Sequence, residues 1–202
     1  MSNAIVSSVV SAVAPIFEQE GFSKNAEGFF RVRPQFADYL SIQVKSDNTA
    51  IALNAGIQPI FLLSAEQKSE SALRGGSEVD CYVRARLAPD GQADYWIPLA
   101  LEPQGLAEEI AATFKAHGKP FFEFFASSES LSGALTIEGI QSGNLPAYFS
   151  MMTKSRLALL GAKANLSANN TALARAFAEY GLSVAGMAVS LKREFKNIIA
   201  GT

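Results

Sequence analysis

The sequence predicts an α+β fold, in which an antiparallel sheet of about five strands carries helices on one face and is followed by an α-helical C-terminal tail. Two changes in the hydrophobic period support this prediction. Apolar residues recur at helical spacing up to about residue 20, alternate with polar residues between Phe29 and Leu99, and return to helical spacing after Pro103. A period of 3.6 residues indicates an amphipathic helix, whereas a period of two indicates a strand with one buried face.

The first element is a predicted helix from about Asn3 to Glu20, because its valines and isoleucines share one helical face. Pro15 is expected to kink this helix, and Gly21 to end it. Three strands should follow, around Phe29 to Arg33, Leu40 to Lys45, and Ile51 to Ile57. Short strands joined by short connections indicate an antiparallel meander. The polar segment from Ser64 to Gly76 is interpreted as a short helix or a loop.

A β-hairpin is predicted from Glu78 to Leu99. In its first arm Val79, Cys81 and Val83 alternate with polar residues, which places them on the buried side of a strand. Pro89-Asp90-Gly91 has the residue types of a tight turn, since Pro presets φ and Gly tolerates positive φ.

The remaining chain is predicted to be helical. One helix should follow Pro103 and stop at Gly118, another should start at Asn144-Leu145-Pro146, and a third should begin at Asn169 or Asn170 and close at Gly181. A last amphipathic helix should extend from Val184 to Ile198. The Gly- and Ser-rich stretch 128–143 is the expected joint, so the predicted domains are a sheet domain, 1–135, and a helical extension, 140–202.

Composition limits the functional classes. The net charge of −2 gives no overall attraction to nucleic acid or anionic membranes. A single cysteine rules out an internal disulfide and fits a reducing compartment. No Lys or Arg precedes the apolar run Ile5–Phe17, so no cleaved signal is expected, and no stretch is long and apolar enough to span a bilayer. A cytoplasmic location is therefore expected, whereas no residue indicates an oligomeric state.

No catalytic, cofactor or metal site is predicted. His117 is the only histidine, so a two-histidine metal site is impossible in one chain, and it is expected to interact with a helix C-terminus. Cys81 should be a buried hydrophobic residue rather than a nucleophile.

The remaining candidate motifs also predict no site. Asp80 and Asp94 would be close across the hairpin, but two carboxylates make no active site without a cleft. Gly75-Gly76-Ser77 lacks the Lys of a phosphate-binding loop. The four phenylalanines of Phe121–Phe125 are interpreted as core.

One group of residues remains as a candidate binding surface. If the apolar halves of the strands face the helices, the other sheet face presents several cations and two tyrosines. Arg and Tyr are favoured at protein interfaces. The candidate residues for binding a partner or an anion are Arg31, Arg33, Tyr39, Lys45, Tyr82, Arg84 and Arg86, with Gln43 and Asn54 beside them. The competing interpretation is a solvated face whose cations pair with acidic residues, Asp80 among them.

Three functional hypotheses follow. The leading hypothesis is a non-catalytic binding or interaction module that uses this open sheet face, with another protein or an anionic ligand as its partner. The alternative is a small enzyme acting on an anionic small molecule or a phosphate ester, with the arginines holding the anion. The third is an RNA-binding sheet, which the net charge of −2 disfavours. The residues leave catalysis open but favour a protein that is not an enzyme.

Several short segments resemble a known family. Gly21-Phe22-Ser23-Lys24, Phe29-Phe30-Arg31 and the Leu40–Val44 strand resemble the first half of its domain. Cys81-Tyr82-Val83-Arg84, Trp96 and the segment Gly118–Glu123 resemble its second half. The chain is thus similar, over roughly residues 3–130, to an uncharacterised bacterial family, a DUF4304-like domain of unknown function. The resemblance supports the fold prediction and implies no activity.

Overall fold

The computed structural model describes residues 2–26, 28–89, 92 and 94–202. The chain divides into two compact units, Met1–Glu123 and Phe124–Thr202. The first unit contains an antiparallel sheet with helices, and the second is helical. The predicted α+β class and the helical C-terminal region are therefore confirmed.

The first unit contains all the described strands. They are β1 (Ser23–Lys24), β2 (Phe29–Val32), β3 (Phe36–Val44), β4 (Ala50–Pro59), β5 (Val83–Arg86) and β6 (Ile97–Pro98). The helices that begin in this unit are α1 (Ser2–Gln19), α2 (Glu70–Arg74), α3 (Pro103–Thr113) and α4 (Lys119–Phe124). The segment from Ser64 to Gly76, predicted as a short helix or a loop, contains α2.

The end of α1 follows the predicted glycine signal. Gly21 adopts a positive φ of 81°, and the amides of Gly21 and Phe22 donate to the carbonyls of Glu18 and Phe17. These two bonds form a Schellman motif, which satisfies carbonyls that would otherwise lack a partner at the helix end. The Phe22 ring then packs edge-on against Phe17, with ring centroids 6.4 Å apart.

The strand register separates the sheet into two faces. The strands lie in the order β1-β2-β3-β4-β5, all antiparallel, and β6 also pairs with β4. Directly paired residues point to the same side of a sheet. The helical face carries Phe29, Leu40, Ala55 and Ala85, which are paired across four strands, and the opposite face carries Phe30, Tyr39, Gly56 and Arg84.

The helical face holds the main core of the first unit. The Phe17 ring of α1 lies 4.8 Å from Phe29 on β2 and 5.1 Å from Phe114 at the end of α3. All three side chains are buried. The predicted buried residues of β4, Ile51, Leu53, Ala55 and Ile57, are buried as well.

The opposite face is only partly open, which corrects the prediction of an open sheet face. The segment 60–81 crosses it and forms a second cluster, in which Leu73 and Cys81 pack with Phe30, Ala37 and Tyr39. Both faces are therefore covered around the first half of β3, and eight of the ten residues of β4 are buried. This burial on both faces explains why β4 is almost continuously apolar.

The predicted Glu78–Leu99 hairpin is wrong. Strands β5 and β6 both pair with β4, at Asn54–Ile57 and at Ala50–Ile51, so they follow one another along the same edge. Glu78–Asp80 is a 3-10 turn rather than strand, and Val79 is 62% exposed. The proposed turn residues Asp90 and Gly91 lie outside the described residues.

Gly118 does not stop a helix, contrary to the prediction. Residues Phe114–Gly118 form a π-helical turn that connects α3 directly to α4. A Cβ atom at Gly118 would lie 2.6 Å from the Phe114 ring and 3.0 Å from Leu87, so the glycine permits close packing. His117 consequently lies inside a continuous helical segment and not at a helix end.

The second unit contains five helices among the described residues. They are α5 (Ser128–Ala134), α6 (Ile137–Ser142), α7 (Lys154–Ser167), α8 (Thr171–Val184) and α9 (Val189–Gly201). Asn170 caps α8, as predicted, by accepting a hydrogen bond from the amide of Leu173.

Three boundaries in the second unit differ from the predictions. The last helix, α9, begins at Val189, whereas its predicted start, Val184, lies in α8. A 3-10 turn, Ala147–Phe149, follows Pro146, and α7 begins only after the cap Thr153. Helix α8 continues past Gly181, where a Cβ atom would lie 2.3 Å from the Phe195 ring of α9. The compact units divide at residue 123 because α5 packs against α7. A separate domain from residue 140 stays a prediction. No helix in the described part of the chain is long and apolar enough to cross a membrane.

Candidate functional site

The register separates the cations that the sequence grouped together. Arg31 pairs with Asp38, which pairs with Ile57, so Arg31 lies on the helical face. Arg84 and Arg86 lie on the opposite face, opposite Gly56 and Asn54. The prediction that all four arginines point away from the helices is therefore wrong for Arg31, and also for Arg33, which binds Asp38 on the same face.

Arg31 and Arg33 bind one buried carboxylate. Asp38 has 0% exposure, and its two oxygens accept from Arg31 at 2.8 Å and from Arg33 at 2.7 Å. Arg31 also donates to the backbone oxygen of Glu20 at 2.8 Å and lies 4.4 Å from the centre of the Phe22 ring. These bonds connect β2 and β3 to the end of α1. The cluster therefore has a structural role.

Tyr39 lies under the segment 60–81. It is buried, and its hydroxyl donates to the carbonyl of Leu73 at 2.6 Å. Burial, with the nearby Cys81 and Asp80, raises the pKa of Tyr39 to about 12. This tyrosine offers no ring face to a partner.

The other predicted site residues lie at different places along β3 to β5. Lys45 pairs with Asp47 at 3.3 Å, in the β3–β4 turn. Tyr82 is half-buried just before β5.

Arg86 has three partners among the described residues. It pairs with Asp94 at 3.3 Å, donates to Gln43 at 3.0 Å and stacks on Trp96 at 4.8 Å. Asp94 is therefore a partner of Arg86, whereas Asp80 accepts from Ser77.

A buried carboxylate holds Arg84, and the sequence analysis did not find it. Glu78 is only 3% exposed; one of its oxygens accepts from Arg84 Nε at 2.6 Å and the other from Ser41 Oγ at 3.2 Å. The Arg84 side chain remains 50% exposed. The 3-10 turn Glu78–Asp80 points Glu78 inward, whereas the predicted strand would have placed it on the solvated side.

Arg84 and Glu78 line a cleft of about 690 Å³ beside β3. We refer to it as the β3 cleft. Its other described lining residues come from α1, the β1–β2 turn, β3, β4 and the turn before β5: Ser7, Val10, Lys24, Asn25, Ala26, Gly28, Ser41, Ile42, Gln43, Asn54, Ser77 and Val79. The volume is in the range of small-molecule and peptide sites.

The wall of the β3 cleft is fixed by long-range hydrogen bonds. The side-chain amide of Asn25 donates to the carbonyls of Arg74 and Gly76, at 3.1 and 3.0 Å. These bonds connect the β1–β2 turn to the segment that covers the opposite face. Of the predicted candidates, Arg84 is the one that lines this cleft, together with the neighbouring Gln43 and Asn54.

Cys81, the single cysteine of the chain, lies in surroundings that disfavour a nucleophilic role. The Cys81 thiol is buried and donates to the carbonyl of Ser77. Burial, followed by the charges of Glu78 and Asp80, raises the pKa of Cys81 above its ordinary value, which disfavours the reactive thiolate. Among the described residues, no group of three or more His, Cys, Asp and Glu side chains could hold a metal ion.

Comparison with known proteins gives a family and no activity. No curated protein and no solved structure matches the chain. A family model described as a domain of unknown function (DUF4304) matches residues 13–124, from the middle of α1 to the end of α4. This match covers more than half of the 202 residues. The chain therefore belongs to the DUF4304 family.

Proposed function

We propose that this protein is a non-catalytic binding module whose site is the β3 cleft, with another protein or an anionic ligand as its partner. The observation that carries the proposal is the half-exposed Arg84, oriented by a buried Glu78 on the wall of a concave cleft. An arginine oriented in this way is ready to bind a carboxylate or another planar anion without first losing side-chain freedom.

The charges of the described lining residues support an anionic partner. Lys24 and Arg84 contribute two positive charges, and Glu78 one negative charge. Lys24 is exposed, and its ammonium group donates a weak hydrogen bond of 3.5 Å to Ser11, also an exposed residue. Nucleic acid remains a poor candidate, because the chain has a net charge of −2 and Tyr39 is buried. A cytoplasmic location stays a prediction.

An enzyme acting on an anionic small molecule remains the second candidate. The Ser41 hydroxyl and the Arg84 guanidinium group both lie within hydrogen-bond distance of the Glu78 carboxylate. However, both Glu78 oxygens already accept hydrogen bonds, which makes this carboxylate a poor general base. Turnover of a chromogenic phosphate monoester that is lost in Glu78→Gln would favour the enzyme over the binding module.

Site-specific photo-crosslinking tests the binding module. A photoreactive amino acid replaces Gln43, which is exposed in the cleft, and Arg175 on α8 serves as the control position. We expect a crosslinked protein adduct in cells of the source organism from position 43 and not from position 175. Lys24→Glu should reduce the adduct, whereas Lys115→Glu, the same charge change on an exposed lysine of the π-helical turn, should not. Equal adducts at both positions, or none, would contradict the proposal.

A further inference from the structure

The half of β3 that borders the cleft lacks a partner strand on one edge. Strand β2 pairs with β3 from Ala37 to Leu40, whereas β3 continues to Val44. Among the residues that the structure describes, no strand pairs with this edge beyond Leu40. Such an edge presents backbone donors and acceptors in the spacing of a strand.

The ladder with β4 identifies which backbone groups reach this edge. The Lys45 amide donates to the Ala50 carbonyl at 2.9 Å, so Lys45 bonds to β4. Bonding to one neighbour alternates along an antiparallel strand. Ser41 and Gln43 therefore also bond to β4, whereas Ile42 and Val44 direct their N–H and C=O groups to the other side. The bonding of β4 agrees with this assignment. The carbonyl of Leu53, the residue paired with Ile42, accepts from the Leu87 amide just after β5, so it points away from β3.

Gly28 lies immediately before the start of β2, next to the last residue of β3 that β2 pairs with, Leu40. Its φ of 152° is unfavourable for residues with a side chain, and a Cβ atom would lie 2.2 Å from the Leu40 carbonyl oxygen. The Gly28 carbonyl accepts from the Asn25 amide in the turn between β1 and β2, so β2 begins only at Phe29, which pairs with Leu40. The cleft lies where a continued β2 would have paired with β3.

We propose that the β3 cleft binds an extended peptide segment of a partner protein, which adds to Ser41–Val44 as a further strand and places an acidic side chain near Lys24 and Arg84. This inference rests on the proposed function and names the partner's chemistry. Four strand residues give a pairing length of about 13 Å. Backbone pairing supplies general affinity, and every second side chain of the added strand supplies specificity.

Charge favours an acidic segment over a second copy of this chain. Pairing of two β3 edges would bring two copies of the same cleft together, each with Lys24 and Arg84 among its described lining residues. An acidic segment instead complements both cations, and its carboxylate can accept from the Arg84 nitrogens not used by Glu78.

Selection from a library of short random peptides displayed on phage tests the inference on the full chain. We expect selected peptides to combine strand-forming residues with Asp or Glu. A synthetic version should bind, and replacing its acidic residues by Asn or Gln should weaken binding at least about tenfold. Lys24→Glu should weaken binding similarly, whereas Lys115→Glu should leave it unchanged.

Amide hydrogen exchange followed by NMR provides the test of strand addition. On peptide binding, exchange at Ile42 and Val44 should slow at least about tenfold, whereas Lys45, whose amide already donates to Ala50, should not change. Val44→Pro removes an outward donor and should abolish binding while the far-UV circular dichroism is retained. If that variant does not fold, the exchange data on the unaltered chain decide.

Each contrary result has a distinct meaning. Peptide binding without protection of Ile42 and Val44 would overturn strand addition and leave the binding module intact. Protection that depends on protein concentration without peptide would identify a second copy as the occupant and overturn the inference. Failure to select any peptide would overturn it as well, while the crosslinking from position 43 decides the proposed function separately.

Discussion

Asp38 is the buried charge on which the β2–β3 pair depends. It is fully buried and neutralised by Arg31 and Arg33, whose side chains are 25% and 21% exposed. Removing one member of a buried ion pair leaves charges without compensation. Because both arginines retain some access to water, the cost should be below that of a wholly buried pair.

We expect Asp38→Asn to lower the free energy of unfolding by about 2–4 kcal/mol. Urea denaturation measures this change. Asp47→Asn is the matched control, since Asp47 also pairs with a cation, Lys45, but at the surface. The control should remain nearly as stable as the unaltered protein. Equal effects of the two substitutions would contradict the structural role of Asp38.

Cys81 should make stability fall at alkaline pH. The thiol of the unfolded chain ionises near pH 8.5, whereas burial keeps the folded thiol protonated because its pKa is raised. Above about pH 8.5 the unfolded state therefore holds fewer protons, and the free energy of unfolding falls by up to about 1.4 kcal/mol per pH unit.

Urea denaturation from about pH 7.5 to about pH 9.5 checks this dependence. This range stays below about pH 10, where the tyrosines of the unfolded chain ionise, so the raised pKa of Tyr39 adds little to the slope. Cys81→Ala should flatten the dependence and cost little stability at neutral pH. An equally steep dependence in Cys81→Ala would exclude the thiol as its cause.

Single residues show where alternation is informative and where it is not. The sequence correctly indicated that Cys81 is buried, although Val79, which the same alternation placed on the buried side, is 62% exposed. It could not assign Arg31, since both Phe29 and Phe30 are buried when both sheet faces are covered. When both faces are buried, alternation of polar and apolar residues does not show which face a given residue occupies. The signal available was Asp38, an acidic residue within an apolar strand, which required a buried cationic partner.

At the scale of elements, glycines were the main source of error. Gly21 ended α1 as its sequence context indicated, because it adopts positive φ. Gly118 and Gly181 have the same local context but lie within helices, where each allows an aromatic ring to approach. Whether a glycine ends a helix or admits a neighbouring side chain depends on packing, such as that of Leu87 near Gly118 and of Phe195 near Gly181, which the residues next to the glycine do not indicate.

Alanine substitutions distinguish these two uses. Gly118→Ala should lower the free energy of unfolding by about 1–3 kcal/mol, because the new Cβ overlaps the Phe114 ring. Gly105→Ala lies in α3, with no atom within 4 Å of the new Cβ, and should stabilise by up to about 1 kcal/mol. Thermal or urea denaturation measures both. A stabilising Gly118→Ala would indicate that the glycine is not a packing requirement.

The hairpin prediction failed for a related reason. Pro89-Asp90-Gly91 has local turn chemistry, but β4 is ten residues long and offers one edge to both β5 and β6. Pairing with an existing strand competes with pairing between the two arms. The local sequence does not indicate this longer partner. Val83–Arg86 and Ile97–Pro98 were therefore predicted as strand residues, but their pairing with β4 was not predicted.

At the scale of the whole molecule, the β3 cleft was beyond sequence reasoning. Its described lining extends in sequence from Ser7 to Arg84 and combines α1, the β1–β2 turn, β3, β4 and the residues around Glu78. Arg84, Gln43 and Asn54 were identified because they alternate with apolar residues. Glu78, Lys24 and the free edge of β3 depend on register and on where β2 leaves the sheet.

Each compact unit has its own core. Phe17, Phe29 and Phe114 are buried in the first unit, and Leu160, Phe177 and Phe195 in the second. A unit with its own core can unfold cooperatively by itself. We therefore expect two calorimetric transitions in the full chain, each sensitive to substitutions in one unit.

Gly181→Ala and Asp38→Asn test this expectation. A Cβ atom at Gly181 would lie 2.3 Å from the Phe195 ring, so this variant should lower only the transition of the helical unit. Overpacking of about 1–3 kcal/mol corresponds to several degrees for a unit of this size. Asp38→Asn should lower only the other transition, and Gly133→Ala, with no atom within 4 Å of the new Cβ, should lower neither. One transition lowered by both Gly181→Ala and Asp38→Asn would mean that the two units unfold as one cooperative structure.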